Sequence, residues 1–224
     1  MKGDQRTSRA MNRRLILNLL RKGGRLSRAA LAARSGLSPA AVTFVVADLL
    51  AEGLVTEGET VKGAGGRRPV PVALDYGARW AVGIRLHAGG LEAVLTDLAT
   101  RPLARLNRAL PDMSPQTVVA QAAQLVHALV PDAGLRRDRL VGIGLALPGL
   151  YDTARGLCIR LARHGWEDVP VAAMLAALTD VPVWVDNDVN AFALAQHLFG
   201  AGQAHDNLLA LAIGLLGPLQ FGMV

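Results

Sequence analysis

The segment from Leu26 to Pro69 constrains the fold of this chain more than any other stretch of its 224 residues. It contains two apolar-patterned stretches of helical spacing, separated by Ser35-Gly36-Leu37 and followed by a run rich in Gly and Arg. Glycine adopts the positive φ of a tight bend without strain, so Gly36 marks a turn between two helices. We predict one helix that begins after Ser27 and ends at this turn, and a second helix from Pro39 to about Glu52.

A β-hairpin is predicted directly after the second helix. The segments Leu54–Thr56 and Val70–Leu74 have the composition of two short strands. The glycine-rich tip between them carries Lys62, Arg67 and Arg68. Two helices, a tight turn and a basic hairpin are the layout of a winged helix-turn-helix, a motif that binds DNA. The pattern also fits a small helical bundle with an ordinary flexible hairpin, in which the same turns serve packing alone.

Candidate DNA contacts follow from the geometry of that motif. The N-terminal half of its second helix enters the major groove, while a basic hairpin tip suits phosphates or the minor groove. The residues predicted to contact DNA are Arg28, Ser38, Pro39, Ala40, Thr43 and Phe44 of the helices and Lys62, Arg67 and Arg68 of the hairpin.

The net positive charge of the chain is confined to this first part. Residues 1–75 carry 13 Lys and Arg against 6 Asp and Glu, a net charge of +7, whereas residues 76–224 carry 11 against 12, a net charge of −1. A basic module joined to a near-neutral one indicates a nucleic-acid-binding domain at 1–75 and a separate domain at 76–224. If arginines were only scattered over solvated surfaces, the second part would be basic as well.

Composition excludes several other classes of protein. The only cysteine, Cys158, cannot form an internal disulfide bond or a cysteine cluster for a metal ion. No apolar run of about 18 residues is free of charges or helix breakers, so no membrane-spanning helix is predicted. The first residues, MKGDQR, are charged and do not form an apolar signal segment. We therefore expect a soluble, cytoplasmic protein.

The second part of the chain alternates strands with helices. Strands are predicted at Trp80–Leu86, Leu91–Leu95, Leu140–Leu147, Val181–Val185 and Leu208–Ile213, and helices at 115–130, Val171–Leu178 and Ala191–Phe199. This order predicts an α/β domain.

Three motifs in this domain resemble those of the ROK family. They are VGIGLALPGLYD from Val141, GWEDVPV from Gly165 and PVWVDNDVNAFALAQ from Pro182. The GLSPAAV and GGRRP motifs of the first domain resemble the repressor branch of that family, which groups sugar kinases with sugar-responsive repressors. The resemblance extends from Asn12 to about Ile213, and it implies an actin-like ATPase (RNase H-like) fold for the second domain.

The resemblance to the family's kinases fails at the phosphate-binding loop. Those kinases open this domain with a D-x-G-G-T loop, and the corresponding residues here are Arg85-Leu86-His87-Ala88-Gly89. A loop without those glycines cannot bring successive N–H groups to phosphate oxygens, and a cation replaces the carboxylate. We therefore expect that the protein is not an enzyme; the alternative is an ATP-dependent kinase for a hexose or an amino sugar.

Asn187 and Asp188 form the candidate sugar-binding site. Asp188 matches the family's catalytic base and Asn187 its neighbouring sugar contact, and a carboxylate can still accept charge-assisted hydrogen bonds from sugar hydroxyls. Arg163 stands where the family's sugar kinases carry an asparagine that contacts the ligand. A cation there favours a phosphorylated or acidic sugar, or indicates that the pocket has diverged. The competing interpretation is that Asp188, Asp186 or Asn190 caps a helix that begins near Asn190.

The resemblance also implies partners and a missing part. The family's zinc site and much of its second lobe lie beyond residue 224, so we expect no cofactor in this chain, an incomplete actin-like domain and exposed apolar surface near Leu208–Ile213. The cause would be a fragment or a broken reading frame. A full-length protein is expected to bind operator DNA as a homodimer and to release it when a sugar or sugar phosphate binds. A constitutive DNA binder that senses no ligand is the remaining alternative.

Overall fold

The computed structural model of the chain describes residues 2–58, 70–87, 89–132, 138–212 and 220–223. The chain forms two compact units, Met1–Ala78 and Arg79–Val224. The division lies three residues after the boundary at residue 75 that the charge distribution suggests.

The described residues of the first unit form three helices and a small antiparallel sheet. Its elements are α1 (Lys2–Gly23), β1 (Leu26–Ser27), α2 (Arg28–Ser35), α3 (Pro39–Ala51), β2 (Val55–Glu57) and β3 (Pro71–Leu74). Strand β3 lies between β1 and β2 and pairs with both. Strands β2 and β3 are those of the predicted hairpin, and the loop that joins them lies outside the described residues.

Apolar side chains from all three helices form the core of the first unit. Ile16 of α1, Leu31 of α2 and Val42, Val46 and Leu49 of α3 are fully buried against one another. The α3 residues recur at the spacing of one helical face, which is why the opposite face is left to solvent. Full burial of each such side chain stabilises the unit by about 1.5–3 kcal/mol relative to exposure.

The second unit is an α/β domain. Its elements are β4 (Trp80–His87), β5 (Gly90–Asp97), β6 (Pro102–Arg108), α4 (Pro115–Leu129), β7 (Leu140–Leu147), β8 (Leu150–Asp152), β9 (Leu157–Leu161), β10 (Trp166–Val169), α5 (Val171–Thr179), β11 (Val183–Asn187), α6 (Asp188–Phe199), β12 (Leu209–Ala212) and β13 (Gln220–Met223). The main sheet has the order β11-β7-β4-β5-β6. Its β4–β5 and β5–β6 pairs are antiparallel, and its β4–β7 and β7–β11 pairs are parallel. Strands β10-β9-β8 form a second sheet, and β12 pairs with β13.

One face of the main sheet is covered by helices, and the other is open. Ile84, Ile143 and Leu145 belong to the buried cluster that includes residues of α4 and α5. Successive side chains of a strand point to opposite faces, so the residues between them point away from those helices. Arg85 and Gly144 are among these residues, and both are exposed.

Two features of the second unit differ from the sequence prediction. Strand β6 and the small sheet of β8, β9 and β10 were not predicted, because Pro102–Arg108 exposes most of its residues and the other three strands have five residues or fewer. The predicted start of the last helix at Ala191 is wrong. Helix α6 begins at Asp188 because the side chain of Asn187 caps it.

The apolar helices α2 and α3 are short, with 8 and 13 residues. No single helix within the described ranges is long and apolar enough to cross a membrane. Helices α2 and α3 reach that length only when taken together, and they are bent by 117° at the turn between them.

Candidate DNA-binding surface and ligand cleft

The turn between α2 and α3 is set by three local features of the sequence. Ser27 Oγ accepts a hydrogen bond from Ala30 N at 3.1 Å and so caps α2. Gly36 ends that helix with φ 70°, in the left-handed region that favours glycine. Ser38 Oγ accepts from Ala41 N at 3.2 Å and caps α3. The angle between the two helices therefore follows from the residues that predicted the turn.

The N-terminal half of α3 presents an uncovered surface. The five residues of this surface that the sequence predicts to contact DNA are exposed: Ser38, Pro39, Ala40, Thr43 and Phe44. The Thr43 hydroxyl donates to the carbonyl oxygen of Pro39 at 2.8 Å, one turn back in the same helix. Among the described residues of this unit, Phe44 has the most exposed large apolar side chain, at 74 %.

Two ion pairs hold α1 against the C-terminal half of α3. The Arg9 guanidinium contacts Asp48 Oδ2, with Nε at 3.1 Å and Nη2 at 2.5 Å. The Arg13 guanidinium donates through both terminal nitrogens to the two oxygens of Glu52. This hydrogen bonding to Glu52 raises the pKa of Arg13 above its already high ordinary value. No local sequence pattern indicates these contacts, because they join residues 39 positions apart.

Arg28, the first residue of α2, already has a partner within the first unit. Its Nη2 lies 2.5 Å from Glu57 Oε1, at the end of β2. The pair is part-exposed, with 33 % of the Arg28 side chain and 41 % of the Glu57 side chain accessible. A DNA phosphate would have to share or displace this carboxylate. The predicted contacts Lys62, Arg67 and Arg68 lie outside the described residues.

Asn187 serves the fold of the second unit. Its Oδ1 accepts from Val189 N at 2.9 Å and from Asn190 N at 3.3 Å, which caps α6. Its Nδ2 donates to the carbonyl oxygen of Gly149 at 3.0 Å, just after β7. The helix cap expected at Asp186, Asp188 or Asn190 is therefore supplied by Asn187.

Asp188 and Arg163 are placed on different elements. Asp188 is the first residue of α6 and is half-buried, and its Oδ1 lies 3.1 Å from Val189 N. Arg163 is exposed in a 3₁₀ turn, Ala162–His164, between β9 and β10. The neighbouring Trp166 is almost fully buried, and its Nε1 donates to the carbonyl oxygen of Met113 at 2.8 Å. The Gly165-Trp166 pair thus anchors this turn to the core.

Tyr151 of β8 is half-buried, and Cys158 of β9 is fully buried. They face each other across β8 and β9. The Tyr151 hydroxyl donates to the carbonyl oxygen of Pro148 at 3.0 Å. Burial raises the pKa of the Tyr151 phenol and of the Cys158 thiol, so both stay protonated at neutral pH. Neither group is poised as a nucleophile.

The open face of the main sheet forms a cleft of about 640 Å³ with the first turns of α6. Strand register places Trp184, Gly144, Gly83 and Val94 in one row across four strands. The two glycines form the floor, since a Cβ at either would meet no atom within 4 Å. The Trp184 side chain, 60 % exposed, forms one wall. The signal that could have found this cleft is the pair of glycines that interrupt the apolar runs of β4 and β7.

Charged residues lie at one end of this cleft. Glu92 is buried and receives hydrogen bonds from Arg85 and from Arg105 Nη1, the latter at 2.9 Å. The hydrogen bond from Arg85 lowers the pKa of Glu92 despite its burial. Arg85 of β4 is thus bound to a carboxylate of the next strand, β5. None of Arg163, Asn187 and Asp188 lines the cleft.

The described ranges contain no cluster of three or more His, Cys, Asp or Glu side chains that could hold a metal ion.

Both units match known protein families. A family model described as winged helix-turn-helix DNA-binding matches residues 12–56, and the ROK family model matches residues 81–215. The second match alone covers more than half of the chain. The chain belongs to the ROK family. Its first unit is a winged helix-turn-helix, and its second has the ROK sugar-kinase-like fold, as the motifs predicted.

Three relatives show how far the similarity extends. The xylose repressor of Bacillus subtilis (strain 168) is 29% identical over 210 residues, which are 94% of this chain and 54% of the repressor. A crystal structure of a ROK family transcriptional regulator, a homologue of the Escherichia coli Mlc protein, matches with a TM-score of 0.82 and 26% identity, over 96% of this chain and 54% of that one. The ROK hexokinase of Thermus thermophilus matches with a TM-score of 0.53 and 28% identity, over 65% of this chain and 46% of its own. The chain spans about half the length of the curated relatives it matches.

Proposed function

We propose that this chain is part of a DNA-binding transcriptional repressor that a sugar or sugar phosphate releases from its operator. The observation that carries the proposal is the winged helix-turn-helix with an uncovered α3 surface, joined to a ROK domain. The relatives similar along nearly the whole chain include the xylose repressor and the N-acetylglucosamine repressor. A regulator of this kind acts in the cytoplasm, as a homodimer on an operator with two half-sites.

DNA binding by the predicted hairpin is tested through its salt dependence. Replacing Arg67 and Arg68 together by Ala should weaken binding to duplex DNA and flatten the plot of log K against log salt concentration by about 0.9 for each phosphate that the variant no longer binds. Binding is measured by fluorescence anisotropy over a series of salt concentrations. The matched control replaces Arg136 and Arg137, an adjacent pair of the near-neutral second part, and should leave the slope unchanged. If the variant with both Arg67 and Arg68 replaced has the same slope of log K against log salt concentration as the native chain, the hairpin does not contact DNA phosphates.

The ligand proposal rests on Asp188. Its carboxylate is half-buried at the start of α6 and can accept charge-assisted hydrogen bonds from two sugar hydroxyls. A repressor is released when the ligand binds the DNA-free arrangement more tightly than the DNA-bound arrangement. Calorimetry of the chain with a panel of sugars and sugar phosphates should detect binding that Asp188→Asn weakens. No heat with any ligand of the panel would favour a constitutive DNA binder.

We propose further that the chain does not transfer phosphate. The proposal is supported by the residues at the phosphate-loop position, where Arg85 is engaged by Glu92 and the D-x-G-G-T glycines are replaced. A loop of this kind offers few N–H groups to a nucleotide phosphate. ROK kinases are structural neighbours of the second unit, so a kinase is the alternative. Sugar-dependent ATP turnover in a coupled assay, lost in Asp188→Asn, would establish the kinase instead.

A further inference from the structure

The outward face of α3 is almost devoid of groups that can recognise a base through hydrogen bonds. Ala40, Thr43, Phe44 and Ala47 share one helical face by their spacing, and all four are exposed. The sequence from Pro39 to Ala47 contains no Arg, Lys, Asn, Gln, Asp or Glu. These are the residue types that bind guanine, adenine or cytosine edges in the major groove. The stretch Pro39–Ala47 of α3 therefore lacks the usual side chains for direct recognition of those bases.

Each hydroxyl group of this surface forms a hydrogen bond with the backbone of α3, Ser38 as an acceptor that keeps its O–H donor and Thr43 as a donor. Ser38 Oγ accepts from Ala41 N, and Thr43 Oγ1 donates to the carbonyl oxygen of Pro39. With its hydrogen-bond donor committed inside the helix, Thr43 has no hydroxyl donor left for a base. What the surface offers is mainly methyl groups and one aromatic ring.

Phe44 is the dominant feature of this surface. Its ring is largely exposed, and its neighbours Ala40 and Ala47 on the same face are small enough to let it protrude. One turn further on, Asp48 is neutralised by its ion pair with Arg9, so an unpaired carboxylate does not stand beside the ring. An exposed aromatic ring gains most where it meets another apolar group.

The C5-methyl group of thymine is the apolar group that base pairs present in the major groove. We propose that Phe44 is a specificity-determining residue that packs against thymine methyl groups, so that the half-site contacted by α3 is rich in thymine. The inference rests on the proposed DNA-binding function and adds the base class that α3 recognises. It predicts sequence preference without any charged side chain of α3.

Replacing thymine by deoxyuridine tests this inference, because it removes only the methyl group. Duplexes are first enriched from a random-sequence library by the full chain, and each enriched duplex is then made with deoxyuridine at single thymine positions. Affinity should fall about fourfold for each methyl group that the ring covers, because this factor corresponds to the free energy of burying one methyl group. Phe44→Ala should abolish the thymine–deoxyuridine difference at the positions that the ring contacts and leave the salt dependence unchanged.

Met11→Ala is the matched control, since Met11 is a similarly exposed apolar side chain (66 %) on α1. It should keep the full thymine–deoxyuridine difference. Equal affinity for thymine and deoxyuridine duplexes, or an undiminished difference in Phe44→Ala, would overturn the inference. If the library yields no enriched duplex at all, the proposed DNA-binding function fails, and this inference fails with it.

Discussion

At the scale of single residues, Arg28 is a predicted DNA contact that already forms an ion pair with Glu57. A part-exposed pair of this kind contributes about 0–1 kcal/mol, so a phosphate can replace the carboxylate at little cost in stability. The displaced Glu57 charge would then remain close to the phosphate and repel it. We therefore expect Glu57 to lower the affinity that Arg28 could otherwise provide as a DNA contact.

Glu57→Gln should therefore strengthen binding to a random-sequence duplex. It should also steepen the plot of log K against log salt concentration by up to about 0.9, the value for one additional neutralised phosphate. Asp75→Asn is the matched control, because it removes the same charge from the first unit while an amide oxygen can still accept from Gly77 N. Equal gains in the two variants, or a gain by Glu57→Gln that persists when Arg28 is replaced by Ala, would contradict the competition between Glu57 and DNA.

At the scale of elements, the start of α6 shows how one side chain joins two parts of a fold. Asn187→Ala removes both the cap of α6 and the donor to the carbonyl oxygen of Gly149, and the loss of the cap alone should cost about 1 kcal/mol. Asn187→Asp keeps an oxygen for the cap but loses the donor, so it should be less destabilising. Urea unfolding of the two variants measures the difference. Asn107→Ala, on the edge strand β6, is the control and should have little effect on stability. Equal destabilisation by Asn187→Ala and Asn187→Asp would exclude the capping role of Asn187.

Elements defined by local chemistry could be predicted from the sequence, whereas contacts between distant residues could not. Ser27, Gly36 and Ser38 act within three or four residues of their own positions, so the helices of the first unit follow directly from them. The cleft of the second unit depends on strand register, which brings Trp184 of β11 beside Gly144 of β7. A sequence pattern of apolar runs carries no information on that register. The sequence predicts the wrong residues for the cap of α6, because four polar residues, 186–188 and 190, each suit that role.

At the scale of the whole molecule, the two units differ in net charge and in tryptophan content, so each unit has its own experimental signal. The positive charge lies in the first unit, and all three tryptophans of the chain, Trp80, Trp166 and Trp184, lie in the second. Tryptophan fluorescence therefore reports unfolding of the second unit alone, while DNA binding reports the first. The two units can be tested separately within one intact chain.

Acidification should destabilise the second unit through its buried carboxylates. Burial alone would raise the pKa of Asp97, but hydrogen bonds from the backbone and side chain of Arg101 and from Ala99 N outweigh it and lower that pKa. A carboxylate with a lowered pKa stabilises the folded state above its unfolded value of about 3.9, and this contribution is lost as the pH falls through the folded value.

Asp97→Asn should therefore be less stable than the native chain at pH 7, and the difference should narrow as the pH falls below about 4, the range in which an unfolded aspartate is protonated. Urea unfolding followed by tryptophan fluorescence between about pH 3 and 7 measures both effects. Glu167→Gln, an exposed carboxylate on β10, is the control and should follow the native curve. A stability difference between Asp97→Asn and the native chain that stays constant across this pH range would show that Asp97 acts through its shape and not through its charge.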